Sequence, residues 1–166
     1  MSLRRRAWLL LAVVALSVGC DQTTKHWALG TLKKSPTENF LGGLFRLEYA
    51  ENPGAFLSLG SKLDPGVRTG LLTGAVGIFL AGLLAFALMG RALTTAQVVA
   101  YGLTLGGGWS NWFDRLVNRG LVVDFLNLGI GPVRTGIFNV ADLAIVAGIA
   151  VLVLAPRAKP AATGTA

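Results

Sequence analysis

Two aspartates, Asp124 and Asp142, are the side chains of this sequence best suited to carry chemistry. Asp142 lies about seven residues inside a long apolar segment, where an ionisable group is costly and usually functional. Asp124 lies in the short stretch before that segment. Two carboxylates that meet cannot both ionise easily, so they share a proton. The ionised one can activate water while the protonated one polarises a carbonyl, which predicts an aspartyl-type hydrolase.

Other polar residues occur at spacings that place them on one helix face. Asp21 and Lys25 are four residues apart at the end of the first apolar segment. Asn139 precedes Asp142 by three residues in the last segment. Side chains three or four apart are neighbours on a helix. Asp21 and Lys25 therefore fit either an interfacial ion pair or a part of the site, and Asn139 is expected beside Asp142.

A third polar group ends the third apolar segment, and a turn motif supplies a fourth. Asn111, Asp114 and Arg115 share one helix face. Asp114 and Arg115 also fit a structural role, because a carboxylate and a guanidinium at a helix end usually pair or satisfy backbone groups. Asn52 and Gly54 fit a turn as well as a site. We expect all these groups to converge at one depth, on the outer face of a membrane.

The composition indicates a membrane protein that folds as one domain. The chain has 166 residues, of which 53% are hydrophobic and 14% charged, with a mean hydropathy of +0.62. Soluble domains carry about 25% charged residues. A chain this apolar cannot cover its core with polar surface.

Charge and residue counts exclude several classes of function. The net charge of +7 comes from basic residues that mostly flank apolar segments, so nucleic acid is not an expected partner. One cysteine excludes an internal disulfide and a cysteine-based zinc site. One histidine excludes a His-rich metal site. These counts therefore exclude the common cysteine- and histidine-based metal sites.

Four segments are candidates for membrane-spanning helices. Each can supply the roughly 20 residues that a helix needs to cross the hydrocarbon layer. They cover approximately residues 7–28, 69–90, 92–113 and 135–155. The first becomes a full span only if its helix continues past Cys20 through Asp21 and Lys25.

Basic residues indicate the orientation of the segments. Arg4 to Arg6, Arg91 and Arg157 with Lys159 flank the segments on one side. The positive-inside rule places that side in the cytoplasm, so both termini are expected inside and the acidic residues outside. Residues 157–166 are expected to form a flexible cytoplasmic tail.

The two outer loops contain strand signals. "LFRLEYAEN" alternates between apolar and polar residues, "NPGA" indicates a turn, and "GLVVDFLNLGIG" is a second β-prone run. We therefore predict an all-α membrane protein. Its single integral membrane domain, residues 1–156, is a four-transmembrane-helix bundle with a small extracytoplasmic β-cradle at about residues 36–62.

Five motifs occur in order along nearly the whole chain, each in register with the predicted spans. They resemble the motifs of the lipoprotein signal peptidase family, also called signal peptidase II. The motifs are "DQTTK" at 21–25, "NPGA" at 52–55, "GGGWSNWFDR" at 106–115, "VVDF" at 122–125 and "FNVADLAI" at 138–145.

The resemblance implies a specific activity. Members of this family are aspartyl proteases of the bacterial inner membrane that cut prolipoproteins just before a diacylglyceryl-modified cysteine, without metal or organic cofactor. It implies that Asp124 and Asp142 are the catalytic pair and that Asp114 is structural. The implied partners are diacylglyceryl-modified prolipoproteins and membrane lipids. The residues implied to bind substrate or support the site are Asp21, Lys25, Asn52, Gly54, Asn111, Arg115 and Asn139.

Three residues depart from the family pattern. Phe56 lies four residues after Asn52, where the family commonly has its aromatic residue five after. Trp109 stands where an aliphatic residue is usual, and Ser110 stands where glycine is usual. These changes concern the pocket wall and leave the two aspartates in place.

Two other functions fit parts of the sequence. A small transporter or binding protein could use the acidic cluster for protons or cations, although the sequence lacks the inverted repeats of many transporters. A lipoprotein modified at Cys20 is the second alternative. Ser17 and Val18 make a poor lipobox before that cysteine, which favours a continuous first helix.

Overall fold

The computed structural model describes residues 1–54, 62–90 and 93–154. Its α-helices are α1 (Leu3–Thr31), α2 (Pro65–Thr69), α3 (Val76–Met89), α4 (Thr95–Val117) and α5 (Val140–Leu154). A π-helical turn at Gly70–Ala75 joins α2 to α3. Phe56, Arg91 and the predicted tail 157–166 lie outside the described residues.

Two helices among the described residues are long and apolar enough to cross a membrane. They are Leu3–Thr31 and Gly66–Met89, and α5 is a shorter apolar helix. The first continues through Asp21 and Lys25, as a full first span requires. The inward face of α4 is polar near its end, where Ser110, Asn111 and Asp114 are buried. Because only two of the described helices are both long and apolar enough, a total of four membrane-spanning helices is still a prediction.

The start of the last helix differs from the predicted span. The apolar segment was expected from residue 135, whereas α5 begins at Val140. Asp142 consequently lies in the first turn of α5 and not two turns inside a helix. The reason is local: the backbone before Val140 pairs with β-structure, through a bridge between Phe138 and Leu126.

The strands form one antiparallel sheet, which confirms that the helices carry a small sheet. Its strands are β1 (Glu38–Phe40), β2 (Phe45–Asn52), β3 (Val122–Ile130) and β4 (Val133–Arg134), in that order across the sheet. The predicted cradle at 36–62 was too narrow, because β3 and β4 come from the second loop. The predicted all-α class therefore leaves out the sheet, whose strand β3 carries the candidate site residue Asp124.

Close helix packing depends on glycines of α4. A Cβ on Gly106 would lie 2.5 Å from the Cβ of Ser17 on α1. A Cβ on Gly107 would lie 2.3 Å from the carbonyl oxygen of Ala141 on α5. No side chain fits at either distance, so these two glycines let α4 approach both neighbouring helices. This approach brings the polar residues of α1, α4 and α5 within hydrogen-bonding distance.

Candidate active site

Asp124 is held at the centre of a polar cluster by two amide side chains. It lies on β3 and its side chain is buried, with 1% of its surface exposed. Asn52 Nδ2, on the neighbouring strand β2, donates to Asp124 Oδ2 at 2.8 Å. Asn139 Nδ2 donates to Asp124 Oδ1 at 2.6 Å. Both carboxylate oxygens therefore have fixed donors.

Asp142 is fixed by the start of α5. Its backbone N–H donates to Asn139 Oδ1 at 3.0 Å, and its Oδ2 accepts the backbone N–H of Asn139 at 3.2 Å. This reciprocal arrangement is a capping box, in which Asn139 is the cap and Asp142 the third helical residue. Asn139 thus contacts both aspartates and places Asp142 beside Asp124.

Asn111 links this pair to α4. Its Nδ2 donates to Asp142 Oδ1 at 3.0 Å, and its Oδ1 accepts from Asn139 Nδ2 at 3.1 Å. Lys25 Nζ also donates to Asn111 Oδ1, at 2.8 Å. Since an ammonium group can only donate, Lys25 fixes the orientation of the Asn111 amide and directs its N–H groups at Asp142.

Lys25 belongs to a buried ionic cluster with two more aspartates. Its Nζ lies 2.7 Å from Asp21 Oδ2 and 2.8 Å from Asp114 Oδ2. Together with the bond to Asn111, these contacts use its three donors. Asp21 also accepts the Ser110 hydroxyl at 2.7 Å and the backbone N–H of Ala141 at 2.8 Å. The cluster therefore joins α1 to α4 and α5.

Arg115 connects α4 to the turn after β2. Its guanidinium donates to the carbonyl oxygens of Asn111, at 3.0 Å, and of Gly54. The Gly54 N–H donates to Asn52 Oδ1 at 2.8 Å, which closes a local turn. Arg115 thus holds the turn that orients Asn52, and Asn52 in turn holds Asp124.

Burial dominates the electrostatics of Asp124. The pKa of this carboxyl is raised to about 6, by burial above all and also by the nearby charge of Asp142, against the hydrogen bonds from Asn52 and Asn139 and the charge of Lys25. The folded state therefore favours the protonated form more than water does. A carboxyl that keeps its proton to this pH suits acid–base chemistry near neutrality.

All nine residues predicted for the catalytic pair and its supporting shell lie in this one network. Asp114, expected to be structural, bonds Lys25 and Gln22. Gln22 was missed: its Nε2 donates to Ser110 Oγ and to Asp114 Oδ1, both at 2.8 Å. The motif "DQTTK" contained the signal, since a glutamine beside Asp21 is costly in an apolar helix.

Trp109 and Ser110, two of the departures from the family pattern, lie in different surroundings. Trp109 packs against the apolar core between α1, α3 and α4. Ser110 is buried and donates to Asp21, so its hydroxyl adds a hydrogen bond that a glycine could not make. Among the described residues, no three His, Cys, Asp or Glu side chains are grouped so as to hold a metal ion.

Comparison with known proteins identifies the family. The family model described as signal peptidase (SPase) II matches residues 13–156. The chain belongs to the signal peptidase II family. Lipoprotein signal peptidases are similar to it over most of their length: that of Nostoc punctiforme is 38% identical, over 99% of this chain and 98% of the relative. That of Leifsonia xyli is 36% identical, over 89% of this chain and 67% of the relative.

Two solved structures share the fold of this chain. A bacterial membrane enzyme determined by the in meso method superposes with a TM-score of 0.76, at 24% identity, over 88% of this chain and 85% of that one. A second such structure gives a TM-score of 0.72 at 23% identity, over 88% and 90%. Family membership makes this chain an aspartic-type peptidase and a bacterial membrane enzyme.

Proposed function

We propose that Asp124 and Asp142 are the catalytic pair of a peptidase that removes signal peptides from diacylglyceryl-modified prolipoproteins, cutting just before the lipidated cysteine. The observation that carries the assignment is the position of Asn139, whose side chain and backbone contact both carboxylates. The names of the relatives support the substrate class.

The mechanism follows from one shared proton on the pair. The ionised carboxylate removes a proton from a water molecule as its oxygen attacks the scissile carbonyl carbon. The protonated carboxyl donates its proton to the carbonyl oxygen, which gives a neutral tetrahedral intermediate. Collapse of this intermediate breaks the C–N bond. The carboxyl that gained the water proton passes it to the leaving nitrogen, and the other carboxylate takes a hydroxyl proton from the intermediate, which re-forms the carbonyl and restores the single proton on the pair. Asn52, Asn111 and Asn139 keep the carboxylates oriented throughout.

We further propose that four helices span the membrane, with both termini in the cytoplasm and the pair near the outer face. The ends of α1 and α4 and the start of α5 bring the polar residues to one level. The basic residues near the N-terminus support this orientation. The acyl chains and the signal helix of the substrate would then enter from the lipid, through grooves between the helices after the first.

The decisive experiment replaces each aspartate by asparagine. Asp124→Asn and Asp142→Asn retain size and remove the ionisable group, so both should lose nearly all cleavage of a lipidated prolipoprotein in detergent. Asp64→Asn is the matched control, because Asp64 is an exposed cap of α2 outside the site. Substantial activity in either site variant, with the folded state verified by thermal unfolding, would disprove the assignment.

A further inference from the structure

Two arginines on the sheet have buried N–H groups that the described part of the chain leaves unpaired. Arg46 lies on β2 and Arg134 on β4. Arg46 Nε and Arg134 Nη2 are both buried and have no hydrogen-bond partner among residues 1–54, 62–90 and 93–154. A buried donor without an acceptor is costly, so this pair indicates a ligand that supplies acceptors.

The two guanidinium groups converge on the same neighbours. Arg46 is paired in register with Asn127 on β3, and Asn127 Oδ1 accepts from Arg134 Nε. Arg134 Nη1 donates to the carbonyl oxygen of Gly43 at 2.8 Å, and a Cβ on Gly43 would lie 4.0 Å from Arg46 Nη2. Asn127 is three residues from Asp124 along the strand, so the cluster faces away from the catalytic pair.

The charge of this cluster favours an anion. Burial lowers the pKa of Arg134, and the nearby charge of Arg46 lowers it further, while Glu48 opposes the shift. Neither arginine forms an ion pair with a carboxylate in the described ranges. Two like charges beside one carboxylate leave a positive site with free donors, and a guanidinium fork matches the oxygens of a phosphate.

An apolar cavity adjoins the positive site. It is a shallow depression open to the surface, with a volume of about 450 Å³, and is lined by Leu44, Leu128, Ile130, Val133 and Arg134, among others. Ile130 and Val133 are 78% and 77% exposed at the tip of the β3–β4 hairpin. Exposed aliphatic side chains of this size, grouped beside paired cations, are typical of a surface that meets the membrane interface.

We propose that this end of the sheet binds a phospholipid, with the phosphate between Arg46 and Arg134 and an acyl chain in the cavity. The adjacent positive and apolar parts fit the two ends of one amphiphile. The diacylglyceryl group of a prolipoprotein has ester oxygens but no phosphate, so it offers the arginines no charged acceptor. The proposed site lies apart from Asp124 and Asp142 and does not depend on the roles of these aspartates.

Ligand titration of the delipidated full-length protein tests the proposal. Native mass spectrometry in a neutral detergent would compare phosphatidylglycerol, diacylglycerol with the same chains, and inorganic phosphate. We expect phosphatidylglycerol to bind at least about tenfold more tightly than either of the others, because each of them offers only part of the contacts. Equal binding of diacylglycerol would overturn the role of the arginines. Equal binding of inorganic phosphate would replace the lipid by a free anion and overturn the proposal.

Variants separate the two halves of the site. Arg46→Gln with Arg134→Gln should weaken phosphatidylglycerol binding about tenfold or more. Ile130→Ser with Val133→Ser should weaken lipid binding but leave phosphate binding unchanged. Lys34→Gln, at an exposed lysine before the sheet, is the control and should change neither. If the double arginine variant does not fold, Arg134→Lys keeps the charge without the fork and should still weaken binding.

Two results would contradict the assignment. One is unchanged phosphatidylglycerol binding in folded Arg46 and Arg134 variants. The other is displacement of the lipid by a soluble acidic peptide at equal concentration, which would indicate a polypeptide partner.

Discussion

Two lysines of this protein form ion pairs of the same length in opposite surroundings. Lys25 Nζ lies 2.7 Å from Asp21, with side chains 4% and 0% exposed. Lys33 Nζ lies 2.7 Å from Glu51, with side chains 48% and 40% exposed. Lys33 also sits over the ring of Tyr49, 5.2 Å from its centre. The comparison shows that the distance between two charges does not by itself determine how much an ion pair contributes to the stability of the folded protein.

The reason lies in the solvent. Water screens the exposed pair, and two flexible side chains lose freedom to form it, so its net contribution is small. The buried pair is not screened, and removal of one partner leaves a charge that water cannot reach. Lys25 contacts two carboxylates and an amide. Its loss would therefore leave all three of these groups buried without their hydrogen-bond donor.

Lys25→Met should break the buried cluster and give the largest effect. Asp21 and Asp114 would remain buried without their cation, which should destabilise the protein by about 3–5 kcal/mol. Activity should fall as well, because Asn111 loses the donor that fixes its amide. Thermal unfolding in detergent measures the first effect and prolipoprotein cleavage the second. A variant as stable as the parent would show that the cluster is solvated, contrary to the comparison.

Asn52→Ala should give an intermediate effect, seen in the pH profile. Burial raises the pKa of Asp124, and the hydrogen bond from Asn52 opposes this rise, so that the pKa is about 6. Removal of this hydrogen bond should raise this pKa further and move the limb of the kcat/KM profile that reports Asp124 to higher pH. Asn39→Ala, at an exposed asparagine on β1, is the control.

The same variant has a consequence for stability, with a definite sign. The pKa of Asp124 is raised in the folded state from an ordinary value of 3.8. The contribution of the Asp124 carboxyl to folding stability is therefore greatest below pH 3.8, and it is lost as the pH rises through about 6. In Asn52→Ala the loss should extend to higher pH. A limb that stays in place or moves to lower pH would contradict the assigned hydrogen bond.

Lys33→Met should give the smallest effect and completes the comparison. Glu51 has its pKa lowered by Lys33 and by Tyr49, and after the substitution it remains exposed to water. The unfolding midpoint should not change measurably at high salt, where exposed charges are screened. A loss of stability comparable to that of Lys25→Met would mean that the C-terminal end of α1 depends on this pair.

Much of the site could be predicted because helical spacing is local. Asp21 with Lys25, Asn111 with Arg115 and Asn139 with Asp142 each lie three or four residues apart. The first two pairs each share a helix face in the structure, and Asn139 caps the helix that carries Asp142. Strand β2 could also be predicted, from the alternation of apolar and polar residues in its sequence. These features depend only on residues that are neighbours in sequence.

The missed features depend on distant contacts or on competing local signals. The pairing of β2 with β3 joins residues that are 70 to 83 positions apart and includes an irregularity between Leu47 and Ala50, which no local pattern specifies. The start of α5 was placed too early because residues 135–139 are mostly apolar or neutral. Asn139 followed by Asp142 is a capping pattern that would have marked the boundary.

The position of Asn139 at the start of α5 bears on how the enzyme is made. The network draws on α1, β2, α4, β3 and α5, and its final members, Asn139 and Asp142, come from the end of the chain. During synthesis, the first helices enter the membrane while Asp124 still lacks a donor from Asn139. In the proposed function, the pair of Asp124 and Asp142 is therefore complete only after α5 has been made, so a growing chain that still lacks α5 should have no activity.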